Sequence, residues 1–167
     1  AAAGASDSKM PDMQAGWEQM CSSVMAGLSG LNMVYEAAGM HASLLGFCHE
    51  SLILGDDLIG QSMRCVRGIE VNDETLALDQ IADVCLNGPG HYLGTDQTLG
   101  RMQSDHVYPQ LGDRTSPKEW AEIGKPVLTE KATKIKEDIL SKPSEVAFDP
   151  ILDAKLRKKY KIHLNMN

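Results

Sequence analysis

A chain of 167 residues, 43% of them hydrophobic, is long enough for one domain with a core. A formal net charge of -7 argues against binding the phosphate backbone of nucleic acids. No stretch approaches the ~20 apolar residues of a membrane span, and no basic segment leads into an apolar run as in a signal peptide, so the expected compartment is the cytoplasm.

The chain opens on small residues, Ala1 to Ala5, read as a short strand that lets backbones and ligands come close. Ser6-Asp7-Ser8-Lys9 follows as a polar tip. Pro11 suits the first turn of a helix. Met13, Trp17, Met20, Val24 and Leu28 recur at three- and four-residue spacing, which predicts a helix over 11–28. Asp7 and Lys9 therefore lie in the loop that feeds this helix. In a strand-loop-helix unit of a barrel enzyme, that loop carries the chemistry. An ordinary N-cap with solvated neighbours gives the same pattern.

Residues 31–37 are apolar and bounded by glycines, which predicts a strand ending at Tyr35 and Glu36. It should run parallel to the strand at 1–5, with the 11–28 helix as a right-handed crossover between them. Ala37 to Met40 opens a second loop. A long helix is expected over 48–66, with Leu52, Ile53, Leu58, Ile59, Met63 and Val66 on its apolar face. Gly55 and Gly60 lie inside it at a cost of ~1 kcal/mol each, which implies close packing on another backbone or a break. Asn72 or Asp73 should cap a helix through Val84, and Asn87-Gly88-Pro89-Gly90 is a turn signal. Thr95 should cap a helix over 96–105. Ser116-Pro117-Lys118-Glu119 is a capping box that should begin a helix running to Ile139, with a kink at Pro126. Asp149-Pro150 starts a last helix that ends in Arg157-Lys158-Lys159, and Asn165-Met166-Asn167 should fray.

Cys21, Cys48, Cys65 and Cys85 are widely spaced, form no C-x-x-C pair and fall in apolar patterns, so reduced core thiols are expected. Cys48-His49-Glu50 is the one cluster that suggests a metal. Consecutive helical residues point ~100° apart, so no metal site is expected there.

Ser6-Asp7-Ser8-Lys9, Asp12-Met13-Gln14-Ala15-Gly16, Glu50-Ser51-Leu52, Gly88 to Leu93 and Pro109 to Arg114 together resemble the C-terminal third of trimethylamine:corrinoid methyltransferases. The wider family includes glycine betaine:corrinoid methyltransferases. The resemblance implies an α/β fold: the C-terminal portion of a (β/α)8 TIM barrel, helix-rich, with extra C-terminal helices. Residues 1–115 would close the barrel and 116–167 would be a helical extension packed on it. It implies transfer of a methyl group from trimethylamine to the cobalt of a corrinoid. No cofactor would be bound directly, since the corrinoid (cobalamin) would be carried by a partner corrinoid protein.

The alternatives are a glycine betaine enzyme or a non-catalytic half-barrel that needs its N-terminal part. The resemblance places pyrrolysine, in the methanogen enzymes, at the position matching Lys9. A one-letter sequence prints lysine for either residue. Lys9 is thus the catalytic candidate, with Asp7, Asp12, Tyr35 and Glu36 as substrate-binding candidates and His91 as the corrinoid-facing one. Trp17 and Tyr35 could meet a methylated ammonium by cation-π attraction or serve as core packing. Partners implied are the corrinoid protein, a small methylated amine and further copies of the chain, with no nucleic acid and no membrane.

Overall fold

The computed structural model describes residues 1–143 and 149–162. The chain divides into two compact units, residues 1–136 and residues 137–167.

The first unit is organised on two helices, α1 (Met13–Leu28) and α2 (His49–Arg67), which pack on each other. The residues these two helices bury are small or polar. Ala15, Gln19 and Ala26 are buried on α1, and Ser51, Gly55 and Ser62 on α2. A Cβ on Gly27 would overlap Val66, and Ser62 Oγ donates to Met20 Sδ at 3.3 Å. Small side chains let the two backbones approach, so the helix pair is close while its larger apolar residues look outward. Helix α1 begins at Met13 because Asp12 is its cap: Asp12 Oδ1 accepts from Ala15 N at 3.0 Å. Gly55 is buried against Ala38, as its place inside the α2 pattern suggested, whereas Gly60 faces open space.

A hairpin of β1 (Met40–His41) and β2 (Gly46–Phe47) lies between these helices in the chain. It is antiparallel, with Met40 opposite Phe47 and His41 opposite Gly46. The sequence reading had a plain loop here. No turn glycine marks the hairpin, because its turn is made by Ala42, Ser43 and Leu44, all with positive φ. The strand expected over 31–37 is reduced to one bridge, Ala2 to Tyr35, which is parallel as expected. Tyr35 N donates to Ala1 O at 3.1 Å, and Glu36 then turns to φ 60, which ends the extended run. A longer strand needs a ladder of backbone partners, and Ala2 supplies one rung.

The helix expected from Asp73 through Val84 is two helices, α3 (Asp73–Leu76) and α4 (Leu78–Leu86), broken at Ala77 with φ 49. Gln97 Nε2 donates to the Glu74 carbonyl at 2.9 Å, taking the acceptor that a continuous helix would offer to Leu78 N–H. That tie comes from α5 (Asp96–Arg101), capped by Thr95. The expected 116–139 helix is likewise two, α6 (Pro117–Glu122) and α7 (Leu128–Ser141). Gly124 and Lys125 take positive φ, and Lys125 N donates back to Trp120 O at 2.9 Å. Pro126 disfavours helix at the residue before it, so the break is complete where a kink was expected.

In the second unit, α8 (Pro150–Lys159) is capped by Asp149, whose Oδ1 accepts from Ile151 N at 3.0 Å. Its last turn carries Arg157, Lys158 and Lys159, and Arg157 also pairs with Asp153 at 2.7 Å. Asn165-Met166-Asn167 lies outside the described residues.

The described chain is helix-rich with a small sheet, compatible with part of a barrel. No described helix is long and apolar enough to cross a membrane. All four cysteines are free thiols, but Cys21, Cys65 and Cys85 are exposed and Cys48 is half-buried. They are not core residues, because the helices bury their small-residue faces.

Candidate functional site

Residues 6–11 form the loop between the first segment and α1, and three other elements fix its base. From the hairpin, Met40 O accepts from Ser6 N at 3.1 Å, and Ala42 N donates to Ser8 O at 3.0 Å. From α1, Glu18 Oε2 accepts from Ser6 Oγ at 2.6 Å and from Asp7 N at 2.9 Å. From α2, Ser51 reaches the loop through His41. His41 Nε2 lies 2.6 Å from Ser51 Oγ, and His41 Nδ1 lies 3.2 Å from Ser8 O. A carbonyl can accept but not donate, so Nδ1 carries the proton and Nε2 accepts from the Ser51 hydroxyl when the ring is neutral. His41 and Ser51 are both buried.

Within the loop, Ser8 N donates to Ser6 Oγ at 2.9 Å, and Ser8 Oγ donates to Asp12 Oδ1 at 2.9 Å. Ser6 and Ser8 are buried, while Asp7, Lys9 and Met10 are exposed. The result is a fixed base with an open tip. Lys9 Nζ donates to Asp7 O at 2.9 Å. Asp7 Oδ1 accepts from Ser43 Oγ at 2.6 Å. Hydrogen bonds from the Ala15 N–H and the Ser8 hydroxyl hold the Asp12 carboxyl below its ordinary range. The Ser6 hydroxyl, the Gln14 amide and the Asp7 N–H do the same for Glu18. Lys9 thus meets the Asp7 backbone carbonyl, while the Asp7, Asp12 and Glu18 carboxylates are each held by hydroxyl or N–H donors of the loop, the hairpin turn and the helix start.

Tyr35 and Glu36 are exposed beside the root of this loop. Gly4 is pressed so closely on Ala37 that a Cβ there would overlap the Ala37 carbonyl. Gly4, with φ 83, also donates its N–H to Ser22 Oγ at 2.9 Å. His91 is exposed in the connection between α4 and α5 and makes none of the hydrogen bonds that fix the loop. Trp17 is exposed and lines a groove of about 870 Å3 between α1, α2 and residues 111–131, with Met13, Met20, Leu54 and Leu58.

Sequence reasoning did not single out His41, and it met Ser51 only inside the Glu50-Ser51-Leu52 motif, with no role beside the loop. His41 sat in a stretch read as loop, and the partners that bury it come from 33 residues earlier and 10 later. Glu50 of the Cys48-His49-Glu50 cluster is paired with Lys136 at 2.6 Å, and the His49 ring meets Phe47 edge-on at 5.2 Å. Among the described residues, no group of three or more His, Cys, Asp or Glu could hold a metal ion.

The family model described as trimethylamine methyltransferase (MTTB) matches residues 1–163. The glycine betaine methyltransferase of Desulfitobacterium hafniense is 32% identical over 155 residues, covering 92% of this chain and 32% of that protein. The trimethylamine methyltransferase MttB of Methanosarcina barkeri is 35% identical over 136 residues, covering 81% of this chain and 26% of that protein. MttB1 of Methanosarcina mazei is 34% identical over 137 residues, covering 81% and 26%. The chain therefore spans a quarter to a third of the length of these relatives.

Proposed function

The chain belongs to the trimethylamine methyltransferase (MTTB) family, and from that membership we propose that it is the C-terminal part of a TIM-barrel enzyme that moves a methyl group from a methylated amine to a corrinoid. The observation that carries the reading is Lys9: an exposed tip on a loop whose base is fixed from three elements. A reacting group needs access and a set position together, and much of an enzyme's barrier reduction comes from such positioning.

The corrinoid, carried by a partner protein, would supply the cobalt that takes the methyl group. An exposed tip fits a group presented from outside. His91 is proposed to face it. This chain's own residues would hold the amine. Asp7 and Asp12 would balance its positive charge, and Tyr35, with Glu36 beside it, would offer a ring face to the methylated nitrogen.

The identity of residue 9 sets the substrate. Pyrrolysine would offer an electrophilic imine carbon to trimethylamine. Lysine would offer an ammonium, which repels trimethylammonium and pairs with the carboxylate of a betaine. The glycine betaine relative supports the second case and the MttB relatives the first.

Intact mass decides between them, since pyrrolysine adds about a hundred daltons to lysine. Methyl transfer is then measured in the full-length enzyme with trimethylamine and with glycine betaine, for the parent and for Lys9→Ala. Loss of turnover with an unchanged fold is expected. Unchanged turnover with both substrates would remove Lys9 and the site built around it.

A further inference from the structure

We propose that Glu18 is the positioning residue for Lys9, acting through a hydrogen-bonded relay that sets the Asp7–Ser8 peptide. The inference rests on the reading of Lys9 as a working group.

The relay can be followed atom by atom. Gln14 Nε2 donates to Glu18 Oε1 at 2.9 Å, which turns the carboxylate so that Oε2 faces the loop. Ser6 Oγ donates its proton to Oε2 at 2.6 Å. With that proton committed, the lone pairs of Ser6 Oγ are available, and Ser8 N–H donates to them at 2.9 Å. Ser8 N–H belongs to the peptide whose other end is the Asp7 carbonyl, and that carbonyl accepts Lys9 Nζ at 2.9 Å. Asp7 N–H, donating to the same Oε2 at 2.9 Å, fixes the preceding peptide as well. One carboxylate therefore orients two successive peptides, and the second of them is the dock for Lys9.

The chain is polarised in one direction from an ionised acceptor, the arrangement in which each bond strengthens the next. Ser6, whose hydroxyl carries the relay, and Ser8, whose N–H continues it, are buried residues, so water does not readily replace a missing partner. Removing Glu18 would leave the Ser6 hydroxyl free to turn and the Asp7–Ser8 peptide free to rotate. The hairpin contacts at Met40 O and Ala42 N would still hold the loop in place. The fold would stay and the Lys9 tip would lose its orientation.

Glutamine can keep the relay. Its Oε1 would face Ser6 Oγ and Asp7 N, and Gln14 would flip to accept from the new amide group. Alanine cannot.

The test uses the full-length enzyme in four variants: Glu18→Ala, Glu18→Gln, Ser6→Ala and Lys9→Ala. Turnover is measured at saturating and limiting amine, and hydrogen exchange is followed at the Asp7 and Ser8 amides. Glu18→Ala should lower kcat about a hundredfold, the scale of an ångström-sized misplacement, while KM for the amine moves less than about threefold on the same view of orientation without binding. Exchange at both amides should rise. Glu18→Gln should restore kcat and protection, and Ser6→Ala, which removes one relay atom from a folded loop, should reproduce the loss. A kcat within about twofold of the parent in both Glu18→Ala and Ser6→Ala, beside an inactive Lys9→Ala, would overturn the relay and leave the reading of Lys9 intact. Full activity in Lys9→Ala would overturn that reading itself. Equal losses in Glu18→Ala and Glu18→Gln would also refute the relay, because the glutamine preserves its geometry.

Discussion

Two glycines in α2 offer a test with an internal control. An added Cβ at Gly55 would lie 2.5 Å from Ala38 Cβ and 3.2 Å from Ala38 Cα. At Gly60 it would meet nothing within 4 Å. Both Gly→Ala changes gain helix propensity, about 0.8–1.0 kcal/mol each. Ordinary carbon contacts sit at ~3.5–4.0 Å, so at Gly55 the Ala38 segment must retreat by about 1 Å or more. Overpacking of that kind costs ~1–3 kcal/mol. The propensity gain cancels in the difference, so Gly60→Ala should be more stable than Gly55→Ala by ~1–3 kcal/mol, and more stable than the parent by ~1 kcal/mol. The retreat also has a direction. Ala38 leads through Gly39 into β1, and β1 carries the Met40 and His41 contacts to the loop. Urea unfolding followed by circular dichroism, extrapolated linearly to water, measures all three stabilities. Equal stabilities for the two variants, or Gly55→Ala as the more stable, would refute the close packing of α2 on residues 38–39.

The Glu50 carboxyl is lowered from 4.5 to about 2, first by its hydrogen bond from Lys136. A depressed carboxyl gives stability that is present above the unfolded value and lost as pH falls through the folded one, so acid titration of unfolding should lose a component between about pH 4.5 and 2; Glu50→Gln should flatten that limb, and an unchanged limb would count against the pair. His41→Ala leaves the buried Ser51 hydroxyl without its ring partner, while Ser8 O keeps the Ala42 N–H, and should cost ~1–3 kcal/mol in the same urea assay; an unchanged stability would count against the His41–Ser51 bond. The 167-residue chain expressed alone should dimerise or aggregate, because Met13, Trp17, Met33 and Leu86 are among many large apolar side chains more than half exposed. Light scattering that shows a monodisperse, cooperatively unfolding monomer would contradict this.

The parts of the fold legible in the sequence are those fixed by nearest neighbours. Asn72, Thr95, Ser116 and Asp149 each cap the helix that follows, because a cap is a contact across two or three residues, whereas Pro11, expected in the first turn of α1, lies just before the Asp12 cap. The α1 and α2 periodicities predicted their helices to within about two residues at either end. What escaped depends on distant partners. At the break at Ala77 the Glu74 carbonyl is met by Gln97 from 23 residues on, and the fixing of the Lys9 loop follows from His41, Ser43 and Ser51. The β1–β2 turn escaped for a different reason. Ala42, Ser43 and Leu44 carry no positive-φ signature, and nothing in their side chains announces the turn. Around the loop, Asp7, Lys9 and Asp12 were legible as chemistry, but the contacts that His41, Ser43 and Ser51 make to fix them were not.

Polar and apolar groups in this chain are satisfied to different degrees, and the difference has a physical cause. Among the described residues, no buried side-chain nitrogen or oxygen lacks a partner. Hydrogen bonds are directional and short, and sequence neighbours can complete them, as Ser6, Ser8, Asp12, Gln14 and Glu18 do within one loop and one helix start. Hydrophobic burial is non-directional and scales with area, so it needs a broad facing surface. A chain that spans a quarter to a third of its relatives can therefore finish its loop while its apolar faces stay uncovered. Orientation of the Lys9 tip and stability of the unit then become separable quantities. Glu18→Ala should act on turnover first, with a fall in the unfolding midpoint no larger than the unpaired Ser6 hydroxyl and Asp7 N–H impose. Gly55→Ala should act on the midpoint first, and on turnover as far as Ala38 displaces β1. If the two variants moved both quantities in the same proportion, the loop and the helix packing would be one cooperative object, and the separation argued from their bonding would fail.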